Sequence, residues 1–206
     1  MEVEDRARTL PSGGGRFRLP PGLRARLVGL IMADDEAMNE LAAELMDPRP
    51  HDAVLEIGFG PGRLIERLAR AGDAELVAGV DPSPAMLGQA TRRNRRWIAR
   101  GRVRLVQSGV SRLPFPDCSF TKACAVNSFP FWPNPPDDLR EVRRVLRLGG
   151  RLVLCLRTRD QRRRLLPGSG VTEAEVEEVR CLLTTAGFRE VRTERRSVGA
   201  ALIARR

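Results

Sequence analysis

Short apolar runs alternate with amphipathic stretches along most of this chain. The runs of strand length cover residues 53–57, 75–80, 102–107, 121–127, 150–156, 188–195 and 198–204. Between them, apolar residues recur at the spacing of a helix that packs through one face. This alternation is typical of a parallel sheet with helices on both faces. It predicts a doubly wound, Rossmann-like α/β sheet with seven strands, most of them parallel.

Local signals define several ends of these elements. The connection at 195–197 is short enough for a hairpin, so the last strand is expected to run antiparallel. Serine followed by proline at 83–84 predicts a helix start, and the residues at 172–175 predict a capping box. An apolar stripe over 139–146 predicts a helix that is closed by Gly149.

The residues before the first strand divide into two parts. Residues 1–21 are rich in glycine and proline and are expected to form a flexible tail. Residues 22–50 carry two apolar stripes at helical spacing, which predict two N-terminal helices. They could pack on the core, cover a substrate pocket or lie on a membrane surface. Residues 22–206 are expected to form one domain, with the Rossmann-like core at 51–206.

A glycine-rich turn follows the first strand. Gly58, Gly60 and Gly62 permit positive φ and a close ligand approach, and the next helix offers unpaired N–H groups. Arg63 stands where a dinucleotide fingerprint needs glycine, and the phosphate loop of nucleoside triphosphatases is missing. Asp81 ends the next strand about 20 residues further on, where a carboxylate can reach a ribose. The pattern predicts a nucleoside site other than an NAD site.

Charge and composition narrow the function classes. The net charge of +10 would allow nucleic-acid binding, but the arginines are scattered over every predicted helix, which argues against it. No run approaches the roughly 20 apolar residues of a membrane span, and the acidic start is no secretory signal. We expect a cytoplasmic protein without stable membrane insertion. The four cysteines lack metal-ligand spacing, so they are expected to be buried free thiols, with no metal site.

Residues 54–62, with the sequence Val-Leu-Glu-Ile-Gly-Phe-Gly-Pro-Gly, resemble motif I of the class I S-adenosylmethionine-dependent methyltransferases. The resemblance is to the subgroup similar to the ubiquinone and menaquinone C-methyltransferases. Segments 80–86, 112–120, 126–129 and 146–152 match further family motifs in the same order. The resemblance implies S-adenosylmethionine as cofactor and methyl transfer to a small, apolar or aromatic acceptor.

The resemblance also implies a set of cofactor contacts. They fall on Glu56, Gly58, Phe59, Gly60, Gly62, Asp81, Pro82, Met86, Ser108, Gly109, Val110 and Asn127. Glu56 would help to hold the amino-acid end, and Asp81 would accept hydrogen bonds from the ribose hydroxyls. Asn127 would face the methyl donor.

Two positions depart from the family pattern. Ser108-Gly109-Val110 replaces Gly-Asp-Ala, so the aspartate that accepts from the adenine amino group is missing. This loss is expected to weaken cofactor binding by roughly 0.5–1.5 kcal/mol, although Ser108 or water could substitute. Thr121 also replaces an aspartate. These changes leave a noncatalytic descendant as one alternative, and the arginines leave an RNA or protein methyltransferase as another.

The segment after the fourth strand is the predicted acceptor side, because ligands in open α/β sheets bind beyond the carboxyl ends of strands. Its candidate substrate contacts are Ser128, Phe129, Phe131 and Trp132. They could form an apolar wall for a flat acceptor, or a hydrophobic loop covered by the N-terminal helices. Methyl transfer by direct displacement needs alignment and exclusion of water rather than a triad. No catalytic residue is assigned, and the single histidine, His51, is expected to be structural.

Overall fold

The computed structural model describes residues 36–158 and 170–206. The elements in chain order are α1 (Glu36–Met46), β1 (Ala53–Ile57), α2 (Arg63–Ala71), β2 (Leu76–Asp81), α3 (Pro84–Ala99), β3 (Val103–Gln107), β4 (Phe120–Val126), a 3-10 turn (Phe129–Phe131), α4 (Pro135–Val145), β5 (Leu146–Leu156), α5 (Glu173–Thr185), β6 (Arg189–Arg196) and β7 (Gly199–Arg205). The predicted tail at 1–21 and the first predicted N-terminal helix lie outside the described residues.

The strands form one seven-stranded sheet in the order β3-β2-β1-β4-β5-β7-β6. Strands β1 to β5 are parallel to one another, whereas β7 lies antiparallel between β5 and β6. Arg196 pairs with Gly199 at the tight end of the β6–β7 hairpin. The predicted doubly wound sheet with an antiparallel last strand is confirmed.

Helices cover both faces of the sheet. On one face, α1, α2 and α3 pack against a cluster that includes Val54, and on the other α4 and α5 cover Leu55 and Ile57. Side chains alternate along a strand, so Glu56 points to the same face as Val54. The central strands are buried on both sides, as parallel strands in this architecture require. Among the described helices, none is long and apolar enough to cross a bilayer.

Helix α1 is the second of the predicted N-terminal helices, and it packs on the sheet. Its buried side chains are Met38, Leu41, Ala42, Leu45 and Met46. Near its carboxyl end, Arg151 donates to the Leu45 carbonyl at 2.7 Å and Lys122 donates to the Asp47 carbonyl. Near its amino end, Glu36 and Glu40 both form ion pairs with Arg67 of α2.

Two expectations about local structure are wrong. Helix α4 ends at Val145, not near Gly149, because Leu146 already pairs with Phe120 as the first residue of β5. Gly149 lies within β5 with a φ of 73°. The cysteines are also not all buried: Cys118 and Cys181 are exposed, while the other two are enclosed in the sheet. The capping box at Thr172 and the helix start at Ser83 are confirmed.

A polar cluster joins β1 to β4 at the amino edge of the sheet. The Lys122 ammonium lies 2.7 Å from Asp52 Oδ2, and the Thr121 hydroxyl donates to Asp52 Oδ1 at 2.6 Å. The Lys122 and Asp52 side chains are only 11% and 14% exposed. Burial alone raises the pKa of Asp52, but hydrogen bonds from Lys122, Thr121 and the Arg49 backbone outweigh it, so the pKa is lowered.

The Asp52→Ala variant should lower the free energy of unfolding by roughly 1.5–3 kcal/mol, because it leaves the Lys122 ammonium without its carboxylate. Urea denaturation at neutral pH would measure this loss. The matched control is Asp73→Ala, which removes an exposed carboxylate and should change stability by no more than about 0.5 kcal/mol. A lowered pKa means that the stabilisation by Asp52 is complete above its ordinary pKa and is lost as pH falls through the lowered value. Equal losses in the two variants would contradict this role.

Candidate functional site

A cavity of about 410 Å³ opens beyond the carboxyl ends of β1, β2 and β4. Its volume lies within the range of roughly 300–1,000 Å³ that is usual for small-molecule sites. Strand β1 has β2 on one side and β4 on the other, so the chain order reverses at this point of the sheet. Such a switch point is where open α/β sheets bind their ligands.

Most of the predicted site residues line this cavity. From the predicted cofactor set they are Glu56, Gly58, Phe59, Gly60, Asp81, Pro82, Met86, Ser108, Gly109, Val110 and Asn127. From the predicted acceptor set they are Ser128, Phe131 and Trp132. The structure therefore brings together residues that are distributed over about 75 positions of sequence.

Two predicted residues lie outside the lining. Gly62 is buried between α2 and α3, where an added Cβ would lie 2.7 Å from Ala90 Cβ and 2.8 Å from Asn94 Nδ2. The Gly62 carbonyl accepts from Asn94 Nδ2 at 3.1 Å, so this glycine serves helix packing. Phe129 is 5% exposed and belongs to the core, with its ring centroid 4.9 Å from that of Trp132.

Several lining residues were not predicted from the sequence. They are Asn39, Ile57, Pro61, Arg63, Leu64, Val80, Ser83, Val126 and Pro133. Most of them neighbour predicted residues along a strand or loop and could have been found by extending those segments. Asn39 is different, because it comes from α1 and no sequence signal fixes how that helix crosses the sheet.

Asp81 connects the glycine loop to the start of α3. Its Oδ2 accepts from the Gly60 N–H and its Oδ1 accepts from the Ser83 N–H, both at 2.9 Å. The Gly58 N–H donates to the Val80 carbonyl at 2.8 Å, so the loop is also fixed to β2 through the backbone. Burial raises the pKa of Asp81, and the two backbone hydrogen bonds limit that rise.

Glu56 contributes a second carboxylate to the cavity. It is 3% exposed, and its Oε2 is buried without a hydrogen-bond partner in the described structure. Burial, and then the charge of Asp81, raises the pKa of Glu56 well above its ordinary value, while a hydrogen bond from the Ile65 backbone opposes that rise. Two neighbouring acids with an unsatisfied oxygen favour a ligand that carries positive charge and can donate hydrogen bonds.

The loop after β4 borders the cavity and packs directly against the glycine loop. The Ser128 hydroxyl donates to the Ile57 carbonyl at 2.5 Å, and a Cβ at Gly58 would overlap Ser128 Cβ. Asn127 adopts a left-handed φ of 54°, and its Oδ1 accepts from the Arg157 N–H at 2.8 Å. Phe131 projects from this loop and is 58% exposed at the rim.

The third strand leads into the remaining part of the cavity. The Ser108 hydroxyl donates to the Arg112 carbonyl at 2.9 Å, so its proton is already engaged by the protein. A Cβ at Gly109 would meet no atom of the described chain within 4 Å. The missing aspartate at this position therefore leaves open space rather than a repacked wall.

Comparisons with known proteins agree with this geometry. Residues 55–154 match the family described as "Methyltransferase domain". The chain is 27% identical over 135 residues to the uncharacterized methyltransferase YdaC of Bacillus subtilis, covering 65% of this chain and 72% of YdaC. It is 34% identical over 137 residues to a demethylmenaquinone methyltransferase of Tropheryma whipplei, covering 64% of this chain and 52% of that protein.

A solved structure has the same fold. A putative S-adenosyl-L-methionine-dependent methyltransferase from Methanococcus maripaludis superimposes with a TM-score of 0.71 at 20% identity, over 88% of this chain and 91% of that one. Residues 55–154 therefore form a methyltransferase domain, in a chain that has the fold of the class I S-adenosylmethionine-dependent methyltransferases. This methyltransferase spans 72% of the length of YdaC but only about half of the length of the demethylmenaquinone relative.

S-adenosylmethionine is the cofactor that this family and fold imply. The cavity of the methyltransferase fits it, because the unpaired Glu56 oxygen suits an ammonium donor and Asp81 keeps free lone pairs for hydroxyl donors. Within residues 36–158 and 170–206, no group of three or more potential ligands could hold a metal ion.

Thr121 lies away from the cavity. Its hydroxyl contacts Asp52 and Ala53 before and at the start of β1, whereas the cavity lies beyond the carboxyl ends of the strands. The departure from the family aspartate at this position therefore does not alter the cavity lining. His51 is also at the amino edge, where its exposed ring lies 3.9 Å from Glu75.

The Gly62→Ala variant should be destabilised more strongly than Gly101→Ala. Both glycines have a left-handed φ, 75° and 70°, so both substitutions carry a backbone cost of roughly 1–2 kcal/mol. Only the Cβ at position 62 meets Ala90 and Asn94, while a Cβ at 101 meets nothing within 4 Å. Thermal or urea unfolding should show an additional loss of about 1–3 kcal/mol at position 62. Similar losses at both positions would argue against a packing role for Gly62.

Proposed function

We propose that this chain transfers the methyl group of S-adenosylmethionine to a small, apolar or aromatic acceptor. The observation that carries the proposal is the buried, unpartnered oxygen of Glu56 beside Asp81 in a cavity at the switch point of the sheet. These acids suit the ammonium group of the amino-acid end and the ribose hydroxyls of one nucleoside ligand. The noncatalytic alternative is less well supported, because Thr121, one of the two departures that suggested it, lies at the opposite edge of the sheet from the cavity.

The proposed cofactor contacts follow the order of the strands. The amino-acid end would contact Glu56 and the backbone near Gly58 and Gly60. The ribose would contact Asp81, and the adenine would lie among the side chains and backbone of Pro82, Met86, Ser108, Gly109 and Val110. Phe59 would contribute apolar surface, and Asn127 would stand at the junction with the acceptor. Gly62 would act indirectly, by allowing α2 and α3 to approach each other.

The acceptor would enter along the loop after β4. Phe131 offers exposed aromatic surface at the rim, and the buried Trp132 lines the cavity wall. Ser128 lies at the back of the loop, and Phe129 supports Trp132 from the core. The relation to a protein named demethylmenaquinone methyltransferase supports a flat, hydrophobic acceptor such as a quinol. A demethylated quinol is therefore the first acceptor class to test.

The residues of the chain would promote transfer mainly by alignment. S-adenosylmethionine, when bound, supplies an electrophilic methyl on a good leaving group. Asp81 and Glu56 would hold the methyl donor. The loop after β4, which contains Ser128, would set the direction from which an acceptor approaches. The apolar lining, including Phe59 and Val126, would exclude water that could compete for the methyl group.

Calorimetry with S-adenosylhomocysteine tests the donor half of this function, and transfer of labelled methyl to demethylated quinols tests the acceptor half. Binding together with labelling of a quinol would support the whole proposal. Binding without labelling of any quinol or other aromatic acceptor would favour the noncatalytic alternative. No binding at millimolar concentration would exclude the proposal and leave a noncatalytic protein that binds another partner. Labelling of RNA or protein would redirect the proposed acceptor class.

The Gly109→Asp variant should bind the cofactor more tightly, by up to about tenfold, because it restores an acceptor for the adenine amino group. Open space at this position allows the side chain to enter without a clash. Calorimetry should compare S-adenosylhomocysteine with S-inosylhomocysteine, which lacks that amino group. The gain should occur only with the adenine ligand, and Gly109→Ala should give none. An equal gain with both ligands would contradict this placement of adenine.

The Glu56→Gln variant should weaken S-adenosylhomocysteine binding by about tenfold or more, because a charged acceptor of the ammonium is lost. The raised pKa of Glu56 means that wild-type affinity should increase as pH rises through that pKa, since only the ionised carboxylate pairs with a cation. The variant should show a flatter pH profile, with a residual slope from Asp81, whose pKa is also raised. Glu178→Gln, on the exposed face of α5, is the matched control and should bind as the wild type does. An unchanged pH slope in Glu56→Gln would refute the assignment.

A further inference from the structure

Arg63 is a cation in the cavity to which neither the fold nor the family motifs assign a role. It is the first residue of α2 and the sole basic side chain among the described residues that line the cavity. Its Nε is buried and has no hydrogen-bond partner within residues 36–158 and 170–206. An arginine nitrogen that is withdrawn from water without a partner is costly, so a ligand acceptor at this position would stabilise it.

Other arginines of the same helical layer are engaged. Arg67, one turn further along α2, pairs with Glu36 and Glu40 of α1, and Arg93 of α3 pairs with Glu66. In the described part of the chain, no ion pair reaches Arg63. The charge of Arg63 is therefore not neutralised by the ion pairs between α1, α2 and α3.

The cavity offers separate partners for the two charges of an amino acid. Glu56 presents an unpaired carboxylate oxygen, which suits an ammonium group. The N–H of Ile65, in the first turn of α2, is already engaged by the Glu56 carboxylate, so part of the donor capacity of the helix start is used. A guanidinium at that helix start supplies further donors, and its planar fork matches a carboxylate in two parallel hydrogen bonds.

We propose that Arg63 binds the carboxylate of the amino-acid end of the cofactor and makes the site selective for S-adenosylmethionine and S-adenosylhomocysteine over adenosyl amines that lack a carboxylate. This inference rests on the proposed function, since it assumes that the cavity holds that cofactor. It also gives a role to the residue that replaces the third glycine of a dinucleotide fingerprint. In a dinucleotide site the third glycine allows close packing of helix and strand, whereas a guanidinium at this position can pair with a carboxylate.

The test measures dissociation constants by calorimetry for three ligands of the full chain. They are S-adenosylhomocysteine, its decarboxylated analogue and 5′-methylthioadenosine, which lacks the whole amino-acid end. The wild type should prefer S-adenosylhomocysteine to the decarboxylated analogue by about tenfold or more. Arg63→Met should abolish this preference while binding 5′-methylthioadenosine within about twofold of the wild type. Arg70→Met removes an exposed arginine of the same helix and should keep the full preference.

Each outcome decides the proposal. If Arg63→Met keeps the preference, or weakens all three ligands equally, Arg63 does not recognise the carboxylate. Arg63→Gln, which keeps polar bulk, provides the same comparison if the methionine variant does not fold, and it should also lose the preference. If the wild type binds 5′-methylthioadenosine and S-adenosylhomocysteine equally well, the Arg63 proposal fails while a nucleoside site survives. If the wild type binds none of the ligands, the proposed function itself fails.

Discussion

The cavity depends on Asp81, because each oxygen of this one carboxylate is held by the backbone of a different loop. The hydrogen bond from Gly60 fixes the glycine turn, and the one from Ser83 fixes the start of α3. Both donors are main-chain groups, so the geometry is set by where β2 ends and not by the side chains of the loops. A carboxylate accepts more than two hydrogen bonds, and the same side chain can therefore shape the cavity and still contact a ligand.

Electrostatics gives the cavity a preference for a particular kind of molecule. Glu56 and Asp81 are buried near each other, and burial together with mutual repulsion raises the pKa of Glu56. Arg63 lines the same cavity, and within the described residues its buried Nε has no hydrogen-bond partner. Charges of both signs thus remain separated within one enclosed space. A zwitterion attached to a nucleoside can satisfy both signs at once, which a neutral nucleoside or a nucleotide phosphate cannot.

The sequence predicts the sheet and much of the cavity, because alternating apolar runs and glycine turns are local signals of alternating strands and helices. Strand β1, the glycine loop and Asp81 follow directly from such signals. The role of Gly62 and the contribution of Asn39 do not, since they depend on how α3 and α1 cross neighbouring elements. The end of α4 differs from the sequence prediction for a related reason. Leu146 continues the apolar stripe of the helix, but its pairing with Phe120 draws it into the sheet.

The polar cluster at the amino edge has a consequence for how this sequence relates to others of its family. The threonine at position 121 donates to Asp52, and Asp52 also neutralises Lys122. In this chain, the carboxylate that faces Lys122 belongs to the residue before β1. Residues 52, 121 and 122 form one electrostatic unit, in which a change at any one alters what the other two can tolerate. Substitutions among them should therefore arise together, as an epistatic group, and exchanging position 121 alone for aspartate would place two acids against one lysine.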